Sequence, residues 1–111
     1  MTTPLTTPLD FNRLAEDAHA TARAKGFYDE PRSRLEALAL IMSEVGEAVE
    51  GARKPGPDAH LPEFENFHVE LADAVIRIAD LAEAEGVDLA AIILAKMAYN
   101  ETRPYRHGKL I

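Results

Sequence analysis

Apolar residues recur along this chain at intervals of three and four, and Pro and Gly break the recurrence into four segments. The first segment begins at Asp10, a good helix N-cap, and stops near Gly26, with Phe11, Leu14, Ala18 and Ala22 on one stripe. The second follows Pro31. Ser33 and Glu36 read there as a capping box, while Pro31 at a first helical position is an equal candidate for the start. Leu35, Leu38, Met42, Val45, Val49 and Ala52 predict a continuous core-facing stripe, which Pro55, Gly56 and Pro57 end. A loop over 55–62 leads to Pro62, which opens a third helix running to Gly86. Its apolar face is Phe64, Phe67, Leu71, Ala74, Val75, Ile78 and Leu81. Asp88 caps a fourth helix over 89–102, and Pro104 disfavours helix at Arg103. No alternation of apolar and polar positions marks a strand. The expected fold is all-α, a compact four-helix bundle with short connections.

Length and composition fit that picture. A chain of 111 residues makes one domain with one small core, and its Ala and Leu content favours helix. Residues 1–9 repeat Thr-Thr-Pro-Leu and read as a flexible arm, leaving 10–111 as the domain. The arm lacks the basic start and apolar stretch of a signal peptide, and no apolar run is long enough to span a membrane. The absence of cysteine rules out disulfides, thiolate zinc sites and a Cys nucleophile. The expected location is the cytoplasm, with no membrane partner.

Charge changes the picture more. A formal net charge of -7 repels phosphate backbones and argues against a nucleic-acid polymer as partner. Yet the chain ends in a basic tail, with Arg103, Arg106, His107 and Lys109 and no acid among them. The fourth helix is apolar almost all round (Leu89, Ile92, Ile93, Leu94, Met97). It calls for more cover than three short helices supply, so a homo-oligomer is expected.

Beside the apolar stripe of the second helix run Glu44, Glu47 and Glu50, and beside that of the third run Glu70, Asp73, Arg77 and Asp80. Residues three or four apart share a helix face, so like charges stacked this way repel unless something positive lies between them. If the two helices pack antiparallel, Glu44, Glu47, Glu70 and Asp73 gather into a cluster of oxygens of the kind Mg²⁺ and Mn²⁺ prefer. On periodicity alone a solvated face explains either pair better than a metal site does. Gly46 sits between the first two acids, and a glycine inside a helix suggests close approach of another group. On the fourth helix Lys96, Asn100 and Arg103 share one stripe. They either snorkel and cap, or hold phosphate oxygens, with Arg106, His107 and Lys109 closing over the same place.

These runs resemble a known family. SEVGEAVE at 43–50 followed by ELAD at 70–73 is similar to the E-x-x-E … E-x-x-D signature of the MazG-like all-α nucleoside triphosphate pyrophosphohydrolases. The resemblance extends through KGFYDEPR at 25–32 and KMAYNETRPYRHGK at 96–109, covering roughly residues 15–111. It implies a four-helix core assembled as a homodimer or homotetramer, and Mg²⁺ (with Mn²⁺ as substitute) held by Glu44, Glu47, Glu70 and Asp73. It further implies a nucleoside triphosphate substrate, attacked by water between the α and β phosphates to give a monophosphate and pyrophosphate. Lys96 and Asn100 match phosphate-contacting positions, and Arg103 follows by extension. Glu47 is the preferred proton acceptor, with Glu44 beside it. Two features depart from the pattern. The aromatic pair often seen as two tryptophans is Phe27-Tyr28 here, which either stacks on a base or packs the corner between helices. Only one catalytic module is present, where some relatives carry two.

Three competing readings stay open. A ferritin-like di-iron protein uses Glu-x-x-His pairs, and Glu16/His19 and Glu65/His68 have that spacing. The fourth helix offers no interior carboxylate to complete that set, and His19 and His68 read more simply as surface or packing residues. A non-catalytic helical adapter would leave the acids solvated. Within the enzyme class, a phosphoribosyl-ATP pyrophosphohydrolase has related acids but not the 103–109 ending.

Overall fold

A computed structural model describes residues 10–108; the expected flexible arm, 1–9, and the end of the tail, including Lys109, lie outside the described residues. Four α-helices follow in order among the described residues: α1 (Phe11–Ala24), α2 (Arg34–Arg53), α3 (Asn66–Ala84) and α4 (Leu89–Glu101), then a 3-10 turn at Tyr105–Gly108. The only β pairing among them is an isolated bridge between Pro57 and Glu65.

Helix ends follow local chemistry. The Asp10 carboxylate accepts from the N–H groups of Asn12 and Arg13, and Asp88 accepts from Ala91 N–H. Ser33 accepts from Glu36 N–H at 3.1 Å, so α2 starts after Ser33 and not at Pro31. Helices α1 and α3 end alike. Gly26 and Gly86 take positive φ (90° and 69°), and the following N–H groups of Phe27 and Val87 reach back to Ala22 and Ala82 carbonyls. This is the Schellman arrangement, which a residue with a Cβ adopts only under strain.

The third helix does not open at Pro62. It begins at Asn66, because Asp58 organises the preceding residues into a pinned loop. The buried Asp58 carboxylate accepts from His60 N–H, Leu61 N–H and Asn66 Nδ2, while its own N–H donates to Phe64 O. Those bonds fix 58–64 as a turn and deny it to the helix.

Helix α3 lies centrally, packed on α2 along one side and on α1 along another. Arg34 of α2 meets Glu85 just after α3 at 2.6 Å, Arg77 meets Glu44, and Gly51 lies against Asn66 and Phe67, so α2 and α3 run antiparallel. The buried apolar residues are all alanines: Ala15, Ala37, Ala48, Ala74, Ala79 and Ala82.

The expected α2 core stripe is not buried in the chain. Leu35 is 78 % and Met42 72 % exposed, and Leu38, Val45, Val49 and Ala52 are exposed with them. The face of α2 turned to α3 carries Ala37, Leu40, Ile41, Glu44, Ala48 and Gly51, roughly a third of a turn away. Helix α2 thus has two apolar arcs, and the one carrying Ala37, Ala48 and Gly51 takes the inner side, where small residues let the helices approach closely. Of the apolar face expected for the third helix, likewise, Phe64, which precedes α3, and Leu71, Val75 and Ile78 are exposed, while Phe67 and Leu81 are partly covered and Ala74 is buried. Helix α4 touches chiefly α1, with Asn12 Nδ2 donating to Asp88 Oδ1 at 3.1 Å, and none of its residues is buried. The α1 stripe behaves as expected: Phe11, Leu14, Ala18 and Ala22 are partly covered and Ala15 is buried.

No helix among the described residues is long and apolar enough to cross a membrane.

Candidate metal centre

Antiparallel packing of α2 on α3 turns two sequence spacings into one cluster. Glu44 on α2 and Glu70 and Asp73 on α3 each offer a carboxylate oxygen, and these atoms lie within 4.8 Å of one another. Glu70 is 9 % exposed, and Glu44 and Asp73 are partly covered. Crowding shows in the acidity of Glu70 and Asp73. The Glu70 carboxyl is raised above its ordinary value, first by burial, then by a hydrogen bond its protonated form makes to Glu44, then by the charges of Asp73, Glu44 and Glu47. Asp73 is raised too, by burial and by the Glu44 charge, with Arg77 pulling the other way.

Positive and polar groups brace the cluster. Arg77, one turn after Asp73 on α3, donates from Nε to Glu44 Oε1 at 2.7 Å. Asn66, one turn before Glu70, donates from Nδ2 to Glu70 Oε1 at 3.3 Å and to Asp58 Oδ1 at 3.0 Å. Loop 58–64 and the acids are therefore linked through one amide.

Glu47 stands apart. Its side chain is exposed, and it lines a shallow depression with Glu50, Gly51, Lys54, Gly56, Pro57 and Asn66. Its charge reaches Glu70 and Asp73, but its carboxylate does not join the close group. A Cβ added at Gly46 would meet nothing within 4 Å beyond its own stretch of helix, so no other described residue makes the expected close approach there. It occurs at Gly51, where an added Cβ would fall 2.5 Å from Asn66 Oδ1 and 3.1 Å from the Phe67 backbone.

A cleft of about 470 Å³ opens beside the acids. Leu14, Ala18, Ala22, Phe27 and Ile76 give it apolar walls, and Glu44, Asp73 and Arg77 line it together with Asp17 and Lys25. This size suits a small organic ligand. The aromatic pair divides between the two expected uses. Phe27 is 45 % exposed and faces the cleft, with the Arg77 and Arg32 guanidinium groups 5.7 and 5.8 Å from its ring centre. Tyr28 packs the corner: its hydroxyl donates to buried Asp80 at 2.9 Å and accepts from Arg32 Nη2 at 3.2 Å. His19 Nδ1 lies 2.8 Å from the other Asp80 oxygen, and its ring meets Tyr28 edge-on at 4.8 Å. His19 is thus tied to Asp80, and His68 pairs with Glu65 at the surface.

The fourth-helix residues are not brought to the acids within this chain. Lys96 lies 4.7 Å from the Tyr99 ring centre and Arg103 5.8 Å from it; neither they nor Asn100 line the cleft. Asn100 Oδ1 is buried with no hydrogen-bond partner among the described residues. Arg106 takes φ 56° beside Tyr105, while the His107 side chain lies outside the described residues.

Sequence spacing finds Glu44, Glu70 and Asp73 but passes over Arg77, Asn66 and Asp80 as site-shaping groups. The signal was available for two of them: Asn66 and Arg77 sit four residues before Glu70 and four after Asp73, on the same face.

Comparison with protein-family models, with curated proteins and with solved structures returns no match.

Proposed function

We propose that the chain is a MazG-like nucleoside triphosphate pyrophosphohydrolase, dependent on Mg²⁺ or Mn²⁺. The observation that supports this most is the group formed by Glu44, Glu70 and Asp73, drawn from two facing helices and set beside a cleft with an aromatic wall. Three hard carboxylate donors suit a divalent cation of this kind, and the upward-shifted carboxyl groups of Glu70 and Asp73 mark crowded negative charge that such a cation would neutralise. Bound there, the ion supplies an activated water and charge neutralisation for the phosphates.

The chain's own residues do the rest. Glu44, Glu70 and Asp73 would hold the ion, and Glu47, outside their close group, would accept the proton of the attacking water when it is not itself taken up by metal. Phe27 offers its face to the base, while Tyr28 fixes the corner that carries Phe27.

A homodimer or homotetramer belongs to this reading. It would cover the outer arc of α2 and the apolar surface of α4, and would let Lys96, Asn100 and Arg103 of a second copy, with Arg106, His107 and Lys109, meet phosphate oxygens beside the acids. The expected location remains the cytoplasm.

The test incubates purified protein with Mg²⁺ and a panel of ordinary and modified nucleoside triphosphates. Monophosphate and pyrophosphate should appear in equal amounts, and Glu47→Gln and Glu70→Gln should each abolish them. Complete inactivity with both metals would falsify the reading, and release of single phosphate would reassign the bond cleaved.

A further inference from the structure

Arg77 is a cation already bound to the carboxylate group. It reaches across from α3 to α2, and its Nε–H donates to Glu44 Oε1 at 2.7 Å, a short charge-assisted bond. The pair is largely covered, with 30 % of the Arg77 side chain and 15 % of the Glu44 side chain exposed. Arg77 also eases the ionisation of Asp73, so its charge acts on more than its direct partner. Its guanidinium group faces the cleft, 5.7 Å from the centre of the Phe27 ring.

A divalent ion taken up by Glu44, Glu70 and Asp73 would share the Glu44 carboxylate with this guanidinium group. Charges of +2 and +1 at such separation repel twice as strongly as two unit charges, and the site is partly shielded from water. We propose that Arg77 is a resident counter-ion that a divalent cation must displace from Glu44, and that the displaced guanidinium turns into the cleft to meet phosphate. This rests on the reading proposed above, its metal half on the metal centre and its phosphate half on the nucleotide substrate.

The surroundings permit the displacement. Arg77 already lies over the Phe27 ring while bound to Glu44, so it can leave the carboxylate and remain within the cleft. Its planar fork also suits two-point contact with phosphate oxygens. Displacement then links the two ligands. Metal alone has to overcome the Arg77–Glu44 bond, whereas metal arriving with a polyphosphate gives Arg77 a new partner at the same time. The site takes its ion most tightly in the company of substrate.

The experiment reads the metal, not turnover. Mn²⁺ alone is titrated into wild type, Arg77→Gln and Arg77→Lys by calorimetry, with circular dichroism confirming that each is folded. Arg77→Gln should bind Mn²⁺ about tenfold more tightly than wild type, and Arg77→Lys should fall between them. In wild type, the Arg77 Nε–H resonance, assigned by its loss in Arg77→Lys, should shift as Mg²⁺ saturates the site. An unchanged or weaker Mn²⁺ affinity in folded Arg77→Gln overturns the proposal. So does a resonance that stays still at saturation, or the absence of Mn²⁺ binding in every variant. Pyrophosphate release is assayed separately. Arg77 displaced by metal in a protein that hydrolyses no nucleotide would sustain the counter-ion and overturn the enzyme reading, whereas hydrolysis with an unmoved Arg77 would do the reverse.

Discussion

The amide of Asn66 is bonded to the carboxylate of Glu70, one helical turn away, at 3.3 Å. The same nitrogen holds Asp58 at 3.0 Å, so a loop bond and an acid of the candidate centre share one donor. Replacing Asn66 with Ala removes both. Loss of the bond to buried Asp58 should destabilise the fold by about 1 kcal/mol, which urea denaturation measures. The rise in melting temperature that Mn²⁺ produces should shrink by more than that loss explains, because Glu70 loses the group that orients it. A Mn²⁺-induced rise equal to that of wild type would show Asn66 to be a loop residue only.

Stability should respond to pH through the same acids. Glu70 and Asp73 have folded values above their ordinary ones. As pH rises from the ordinary carboxylate range through the raised values, the unfolded chain has already lost these protons while the folded chain still holds them. The metal-free protein therefore loses stability across that window. Asp58, held low chiefly by the Leu61 N–H, contributes in the opposite sense, its stabilisation disappearing as pH falls. The difference between wild type and Glu70→Gln isolates the first effect. Glu70→Gln should melt higher than metal-free wild type at neutral pH and no differently in acid. Added Mn²⁺ should raise the melting point of wild type increasingly with pH, and that of Glu70→Gln hardly at all.

Two glycines of α2 should behave oppositely. At Gly51 a Cβ meets the Phe67 backbone at 3.1 Å, so Gly51→Ala should push α3 away and destabilise by about 1–3 kcal/mol. At Gly46 a Cβ meets no other described residue beyond its own stretch of helix, and Gly46→Ala should gain up to about 1 kcal/mol from helix propensity. Thermal melts of the two variants side by side decide this. A destabilised Gly46→Ala would mean that a second copy comes close there.

The outer arc of α2 gives the prediction on assembly. Met42 and Val45 are exposed on it, and a charge at either should be harmless to a single chain. Light scattering should give a mass of at least two chains for wild type and one chain for Val45→Asp, with helical content unchanged. A wild-type mass of one chain ends the oligomer reading.

Helix identity and most helix ends were legible because each end carries its own chemistry: Asp10, Ser33 and Asp88 as caps, Gly26 and Gly86 as stops. The start of α3 was not, since Asp58 captures the chain before Pro62 can open a helix, and no local spacing announces a bond from 58 to 66. The acid pairs were legible as stripes, and antiparallel packing brings Glu44, Glu70 and Asp73 together as expected. Glu47 falls outside because α2 turns its Ala37–Ala48 side inward, which moves Glu47 toward solvent. The choice of inner arc was the least legible feature. Hydrophobic periodicity weighs side chains by how apolar they are, and Leu35, Met42 and Val49 outweigh alanines on that scale. Closeness of helix packing follows the opposite order. The Asp80 contacts with His19, Tyr28 and Arg32 span 48 to 61 residues, beyond any helical periodicity.

An interior of alanines has a further consequence for the acids. Glu44 and Glu70 extend from facing helices on which Ala48 and Ala74, each one turn further along, are buried. A Val or Leu at either position would add hydrophobic surface and would ordinarily count as a gain to a small core. On the metal-centre reading proposed above, a larger side chain would press the backbones apart and draw Glu44 away from Glu70. The smallness of the interior would then be a dimension of the site, and mutations that improve the packing of this domain should be among those that weaken any hold on a cation.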